Sequence, residues 1–421
     1  MSGRRFALGG IILLVLACGG EEPREKADEL RAPMSFEERA LTLHREAIVI
    51  DAHSDTTPRF EDPGWDFLER HDRVDGDMDL PRMRDGGLDV QFWSIYMGRR
   101  EGEGLAIREA LERIDAVHRL VSAHPGDLAL ATSAREIREH VAAGRVVSLM
   151  GLEGGHIIEE NLAALRNFHR LGVRYMTLTH SFHTPWADSS GTREDVEPLH
   201  GGLTDFGREI VREMNRLGMM VDLSHVSDDT FWDVLEVSEA PVLVSHSSVR
   251  GVAKHRRNVS DAMLKALAEN GGVIMINFYP AYIDEQVAKQ TTGYFKRWEE
   301  TLASIRQSHV DDPAGRRRAY AKHFSEYPLP VTSLEVLLDH FDHAIAVAGP
   351  NHVGLGADWD GVPSMPVGMQ DVSELPNLTR GLLARGHSED TVRKVLGENL
   401  LRLLEQVEEI GAELRAGARG R

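Results

Sequence analysis

Apolar runs of strand length recur along the chain, and most of them stop on a side chain that can carry charge or bind a metal. The clearest is Val146-Val147-Ser148-Leu149-Met150-Gly151-Leu152, which ends on Glu153 and is followed at once by Gly154 and Gly155. Near-continuous apolar runs of this length read as strands buried on both faces, and paired glycines let the chain turn sharply at the exit. Glu153 therefore leaves a buried strand, where a charge survives only with a partner. The pattern returns at 47–50 before Asp51-Ala52-His53-Ser54-Asp55, at 175–179 before His180, and at 219–224 before His225. It returns again at 241–245 before His246 and at 352–357 before Asp358. A strand period of two puts Asp51, His53 and Asp55 on one side. With 90–96 and 273–278 the expected strands number eight, at about 47–53, 90–96, 146–153, 175–180, 219–225, 241–246, 273–278 and 352–358.

Helical periodicity fills most of the gaps. Ser35-Phe36-Glu37-Glu38 opens a helix with a capping box and carries it to about Glu46. Amphipathic stretches follow at 105–121, 134–142 and 161–168, the last closed by Leu171-Gly172. Others run from Thr204-Asp205 to Leu217-Gly218 and over 232–237, 260–269, 334–348 and 390–409. Strands separated by helices imply a parallel sheet, and eight repeats predict an α/β fold of the (β/α)8 TIM-barrel type, one catalytic domain over 35–415. Chemistry in that fold sits at the C-terminal strand ends, which is where the ionisable residues fall. One segment breaks the rhythm. Residues from about 284 to 329 are charged and mostly helical in pattern, and read as a surface elaboration or as a lid over the strand ends, the lid favoured because the excursion leaves a C-terminal strand end.

Composition then narrows the partners. The 421 residues are 42% hydrophobic and 27% charged, as in a globular protein with a sizeable core. A net charge of −19 argues against nucleic acid and against anionic membrane surfaces. Twenty histidines stand against one cysteine, so disulfides are excluded and any metal must be held by nitrogen and oxygen. That cysteine, Cys18, follows Arg4, Arg5 and an apolar stretch over 6–17, too short to span a bilayer. Residues 1–18 read as a bacterial lipoprotein signal peptide, with Cys18 lipidated and 19–34 as a flexible tether. The expectation is an exported protein of the cell envelope that meets the membrane only through that anchor.

Several buried charges on neighbouring strand ends are most simply reconciled by a shared cation. His53 and Asp55 supply a nitrogen and an oxygen to one ion, His225 and His246 two nitrogens to a second, and Glu153 spans both. Such ligands suit Zn2+ first, with Mn2+ or Co2+ as substitutes. Asp358 reads as a proton shuttle, while Asp360, in Asp360-Gly361, reads as a turn aspartate. His180 has no second ligand near it in sequence and reads as an oxyanion stabiliser. His156 and His183 read as supports of the site, and Asp188 as the anchor of its loop. Arg257 is suited to capturing a substrate carboxylate, whereas Arg256 reads as solvated surface. Tyr282 either adds a hydroxyl beside Arg257 or simply packs.

Together these stretches resemble the membrane (renal) dipeptidase family of the amidohydrolase superfamily. The resemblance rests on DAHSD (51–55), DVQFWSIY (89–96), GLEGGH (151–156), LGVRYMTLTHSFHTPWADS (171–189), GMMVDLSHVS (218–227), APVLVSHSS (240–248), RRNVSD (256–261), INFYPAYI (276–283) and VGLGADWDGV (353–362). It implies a dizinc barrel with Glu153 bridging, His53 and Asp55 on one zinc, and His225 and His246 on the other. It also implies His180 and Asp358 as catalytic, Arg257 and Tyr282 at the substrate carboxylate, and a homodimer that cleaves dipeptides, often with a D-residue second. Ala52, Ser54 and Thr56-Thr57 depart from the family's first motif beside the ligands, which bears on substrate preference more than on metal binding. The expected reaction is attack on the peptide carbonyl by a hydroxide bridging the ions. Asp358 moves the proton to the leaving amine, and His180 with one zinc stabilises the oxyanion. The alternatives are a metal-dependent amidase, β-lactam or lactone hydrolase on the same barrel, or a lipid-anchored binding protein on a dead one. The presence of all five ligands and Asp358 counts against the latter.

Overall fold

The computed structural model of the chain describes residues 34–98, 104–191 and 196–419. The expected signal peptide with Cys18, and the tether up to residue 33, lie outside the described residues. Among the described residues the strands are β1 (Ile50–Ser54), β2 (Val90–Ile95), β3 (Leu128–Leu130), β4 (Val146–Glu153), β5 (Val173–Thr177), β6 (Met220–Asp222), β7 (Leu243–Ser247), β8 (Val273–Ile276) and β9 (Val353–Leu355). All pair in parallel. Eight close a barrel in the order β1-β2-β4-β5-β6-β7-β8-β9, with β9 returning to β1. The expected (β/α)8 barrel is present.

Two details differ from the expectation. The short strand β3 was not anticipated; it pairs with Val146–Ser148, along the edge of β4 that β5 takes up further on. Three residues are too few for a period to register. Second, β5, β6 and β9 each stop three residues before His180, His225 and Asp358. The residues between are buried, so the apolar pattern continues, but the ladder gives way to single cross-loop bonds. Leu178 N donates to Asp222 O at 3.3 Å, Leu223 N to Leu243 O at 2.8 Å, and Gly356 N to Ile276 O at 3.1 Å. Sequence periodicity reports burial, not pairing.

Alternate positions of the strands face inward. Val147 and Leu149 cluster with Phe92, Tyr175, Met220, Leu243 and Met275, and the same face of β4 continues through Gly151 to Glu153. This inner core packs on Leu400, Leu403, Leu404 and Val407 of the last helix, Asn399–Arg419. Arg402 of that helix donates to the carbonyls of Gly271 and Asn351, just before β8 and β9. The helix therefore closes the N-terminal end of the barrel and leaves the C-terminal end for chemistry. Ser35 caps the first helix, Phe36–Glu46, in the expected box with Glu38.

The excursion after β8 folds into helices Glu285–Arg297, Glu299–Ser308 and Pro313–Glu326. Arg317 of the last reaches Asp62 and the Pro58 carbonyl in the segment that follows β1. The segment thus leaves one strand end and returns beside another. Among the described residues no helix is long and apolar enough to cross a membrane.

Candidate active site

Glu153 is the last residue of β4 and sits in the middle of the barrel mouth. Its Oε2 lies 3.5 Å from His53 Nε2, while Oε1 lies 3.2 Å from His225 Nε2 and 3.5 Å from the Nε2 atoms of His246 and His180. Ser94 Oγ on β2 donates to Oε2 at 3.0 Å. The two oxygens of one carboxylate thus face different partners. The imidazoles around it form two close pairs, His53 stacked on His246 at 3.8 Å and His180 tilted against His225 at 4.3 Å.

The His53 side is built by β1 and β9. Asp55 Oδ2 is 3.5 Å from His53 Nε2, and Asp55, His53 and Asp358 offer ligand atoms within one small group. The two loops are stitched by backbone: Asp358 N donates to His53 O at 3.1 Å, and Asp55 N to Trp359 O at 2.8 Å. Asn277 Nδ2 donates to Asp358 Oδ2 at 2.9 Å. Asp358 has φ +70° and His225 φ +66°, a region that residues with a Cβ seldom occupy. Both are site residues, where such backbone tends to collect.

Tyr175 fixes the His53 ring. Its hydroxyl donates to Ala52 O at 3.2 Å and sits 2.8 Å from His53 Nδ1, so it accepts from that nitrogen and leaves the Nε2 lone pair for the site. The tyrosine ring lies against Gly151, its partner across the β4–β5 ladder, where an added Cβ would come within 2.0 Å of it. Glycine in GLEGGH is thus a space requirement. Gly361 is another, since a Cβ there would meet the carboxylates of Asp55 and Asp358 at 2.2 Å.

Burial pushes Glu153 up to about 7, with the neighbouring Asp55 and Asp358 charges adding to it. It pushes Asp358 up to about 6, opposed by His53. Burial also holds His180 down to about 3 and His225 and His246 well below the ordinary imidazole range, with Arg257 adding to each. For His53 burial acts downward too, but Tyr175, Glu153 and Asp55 outweigh it and raise it. Asp55 is lowered: burial would raise it, and His53 prevails. His180, His225 and His246 are thus held neutral beside carboxylates, and on His53 a metal ion would displace the proton that its neighbours favour, so the group as a whole is a set of metal donors. A tetrahedral ion with ligands at about 2.0–2.1 Å spaces its donors about 3.3 Å apart, which matches the gaps around Glu153. Among the described residues His53 Nε2, although buried, has no hydrogen-bond partner. The residues fit a metal centre.

His180 joins this group; its Nε2 is as near Glu153 as that of His246, so proximity alone makes it a ligand candidate, although no second ligand lies near it in sequence. Arg257 is buried beside the cluster, with its NH groups on Ser247 Oγ and His246 O at 3.2 and 3.1 Å and its Nε without a partner among the described residues. The ring of Tyr282, in the short helix Pro280–Ile283, lies 5.4 Å from the guanidinium carbon. Arg256 is half-buried rather than solvated. Asp360 is more than a turn residue: it accepts from Thr56 Oγ1 at 2.7 Å, Arg59 Nε at 3.2 Å and Asp77 N at 3.0 Å, tying the β9 loop to the β1 loop. Asp188 anchors its loop through the backbone N–H groups of Leu199, His200 and Gly201, with His183 beside it at 3.1 Å. His156 Nε2 donates to Met97 O at 3.0 Å, outside the cluster around Glu153. A hollow of about 460 Å3 on the excursion, among Tyr294, Trp298 and Tyr327, holds no carboxylate or imidazole in its lining.

A closed parallel barrel with imidazoles and carboxylates gathered at its C-terminal strand ends defines a metal-dependent hydrolase. The chain belongs to the membrane dipeptidase family (peptidase family M19), whose family model matches residues 37–417. It is similar to the solved dipeptidase AC, a metallo peptidase of the same family, at 29% identity and TM-score 0.67, over 86% of this chain and 98% of that one. A metallo peptidase from Rhodobacter sphaeroides, liganded with a phosphinate mimic of the dipeptide L-Ala-D-Ala, matches at 28% identity and TM-score 0.68, over 86% and 99%. The probable dipeptidase PvdM from Pseudomonas aeruginosa shares the fold at 23% identity and TM-score 0.76, over 90% and 100%. The chain is a metallo-dipeptidase, and the reading of a dead barrel falls away.

Proposed function

We propose that the protein is a zinc-dependent dipeptidase in which Glu153 is shared by two ions, His53 and Asp55 completing one site and His225 and His246 the other. The observation that carries this is the division of Glu153: Oε2 toward His53, Oε1 toward His225 and His246. When bound, the ions supply a water acidic enough to attack a peptide carbonyl near neutral pH. Asp358, held by Asn277, takes the proton of that water and passes it to the leaving amine. His180 stands beside Glu153 and stabilises the oxyanion. Arg257 receives the C-terminal carboxylate with Tyr282 packed on its face, which restricts the substrate to dipeptides. A carboxylate anchor constrains the end of the substrate and not its stereochemistry, so L,D-dipeptides such as L-Ala-D-Ala are included. The leader places the protein in the cell envelope on a lipid at Cys18, and the active form is a homodimer.

The test is metal analysis of the purified protein with a panel of L,L- and L,D-dipeptides, a tripeptide and a β-lactam. Two zinc ions per chain and turnover of dipeptides alone are expected. Preference for the tripeptide or the β-lactam would remove the assigned role of Arg257.

A further inference from the structure

We propose that Asp222 and Ser245 form a positioning relay that fixes the tautomer and tilt of His246. The inference rests on His246 being a metal ligand, as read above. Asp222 ends β6 and is fully buried. Its carboxylate is met by donors from β7, from β5 and from the loop after β6: Ser245 N at 2.8 Å, Ser245 Oγ at 2.6 Å and Ser224 N at 3.1 Å, together with Thr177 Oγ1. A carboxylate surrounded by donors accepts from each, so the single proton of the Ser245 hydroxyl is committed to it. The alternative partner, Ser224 Oγ, is further away at 3.3 Å.

What remains on Ser245 Oγ is lone pair, and His246 Nδ1 lies 2.8 Å from it. That nitrogen must therefore carry the hydrogen, which leaves Nε2 bare. Nε2 is the atom that faces Glu153 Oε1 at 3.5 Å and His225 Nε2 at 2.9 Å. The backbone finishes the fixture, as His246 N donates to Ser224 Oγ at 2.9 Å. His225 has no such support among the described residues, where its own buried Nδ1 finds no partner. Of the two imidazoles on this side, His246 is set in advance by the fold. Ser245 and Asp222 touch no substrate; they act through the ring.

The experiment uses the full chain and four variants, S245A, S245T, D222N and H246A. It reads zinc affinity by competition with a chromophoric chelator, the visible spectrum of the cobalt-loaded protein, and thermal unfolding. Ser245→Ala is expected to weaken the ion assigned to His225 and His246 by about 10–100-fold and to alter the cobalt spectrum, with little change in unfolding temperature. Ser245→Thr keeps the hydroxyl and is expected to restore both. Asp222→Asn is expected to act in the same direction, since its amide can donate to Ser245 and turn the hydroxyl proton onto His246. Wild-type affinity and spectrum in S245A, beside loss of an ion in H246A, overturn the relay while leaving the ligand set intact. Retention of both ions by H246A overturns the ligand reading and the relay with it. If D222N does not fold, S245A alone decides.

Discussion

The two sides of Glu153 are held by different means. On the β1–β9 side the main chain positions the two carboxylates, through the paired bonds of Asp55 and Asp358 to Trp359 and His53, the carboxylates close against Gly361, and His53 alone rests on a side-chain hydroxyl, that of Tyr175. On the β6–β7 side the support comes from beneath, from Asp222 through a side-chain hydroxyl. A backbone stitch sets position but tolerates side-chain change; a hydroxyl relay sets ring angle and tautomer and is lost with one atom. The difference teaches where each side is fragile: the first to added volume, the second to a lost hydrogen bond.

The largest effect should come from the residue common to both. Glu153→Gln is expected to lose both ions and roughly 10^4-fold or more in turnover, read by metal analysis and dipeptide hydrolysis. Retention of one ion at full affinity would show that the sides are independent. Next, Asp358→Asn should keep both ions yet lose about 10^2–10^4-fold in kcat, and an unchanged kcat would end its role as the proton carrier. Gly361→Ala attacks only the β1–β9 side. Its new Cβ meets Asp55 and Asp358, so one ion should be lost at a stability cost of about 1–3 kcal/mol, with the other retained. Loss of both would mean that the sides fail together.

The smallest effect lies at the opposite end of the barrel and separates stability from chemistry. Asp89, just before β2, accepts from Val49 N at 2.9 Å, and burial pushes it up to about 6. In the unfolded chain it titrates about two units lower, so the folded protein binds the extra proton between about pH 4 and 6. Its contribution is therefore favourable below that window and lost as pH rises through it. Asp89→Asn should flatten a fall on the order of 2 kcal/mol in stability across this range, seen in denaturant melts, without changing metal content.

Much of the fold was legible along the chain. The expected strand at 146–153 is β4 to the residue, and the capping box at Ser35 is formed. Of the site, His53, Asp55, Glu153, His180, His225, His246 and Asp358 all meet at the barrel mouth, because strand ends in a parallel barrel converge whatever their separation in sequence. What escaped were Tyr175, Asp222, Ser245 and Gly361. Each lies in a motif already in view, yet a serine before a histidine or a tyrosine within a strand carries no sign of which ring it touches.

The order of residues alone determined the alternation of strands and helices, the burial of the strands and the set of donors delivered to one end, since these follow from period and from the position of charge along apolar runs. Which oxygen of Glu153 faces which imidazole, which nitrogen of His53 and His246 is left bare, and where a glycine is obligatory were decided only when β1, β4, β5, β6, β7 and β9 closed around the same point. Those are properties of distance and angle between segments far apart in the chain, and hydrogen-bond direction does not exist until both partners are in place.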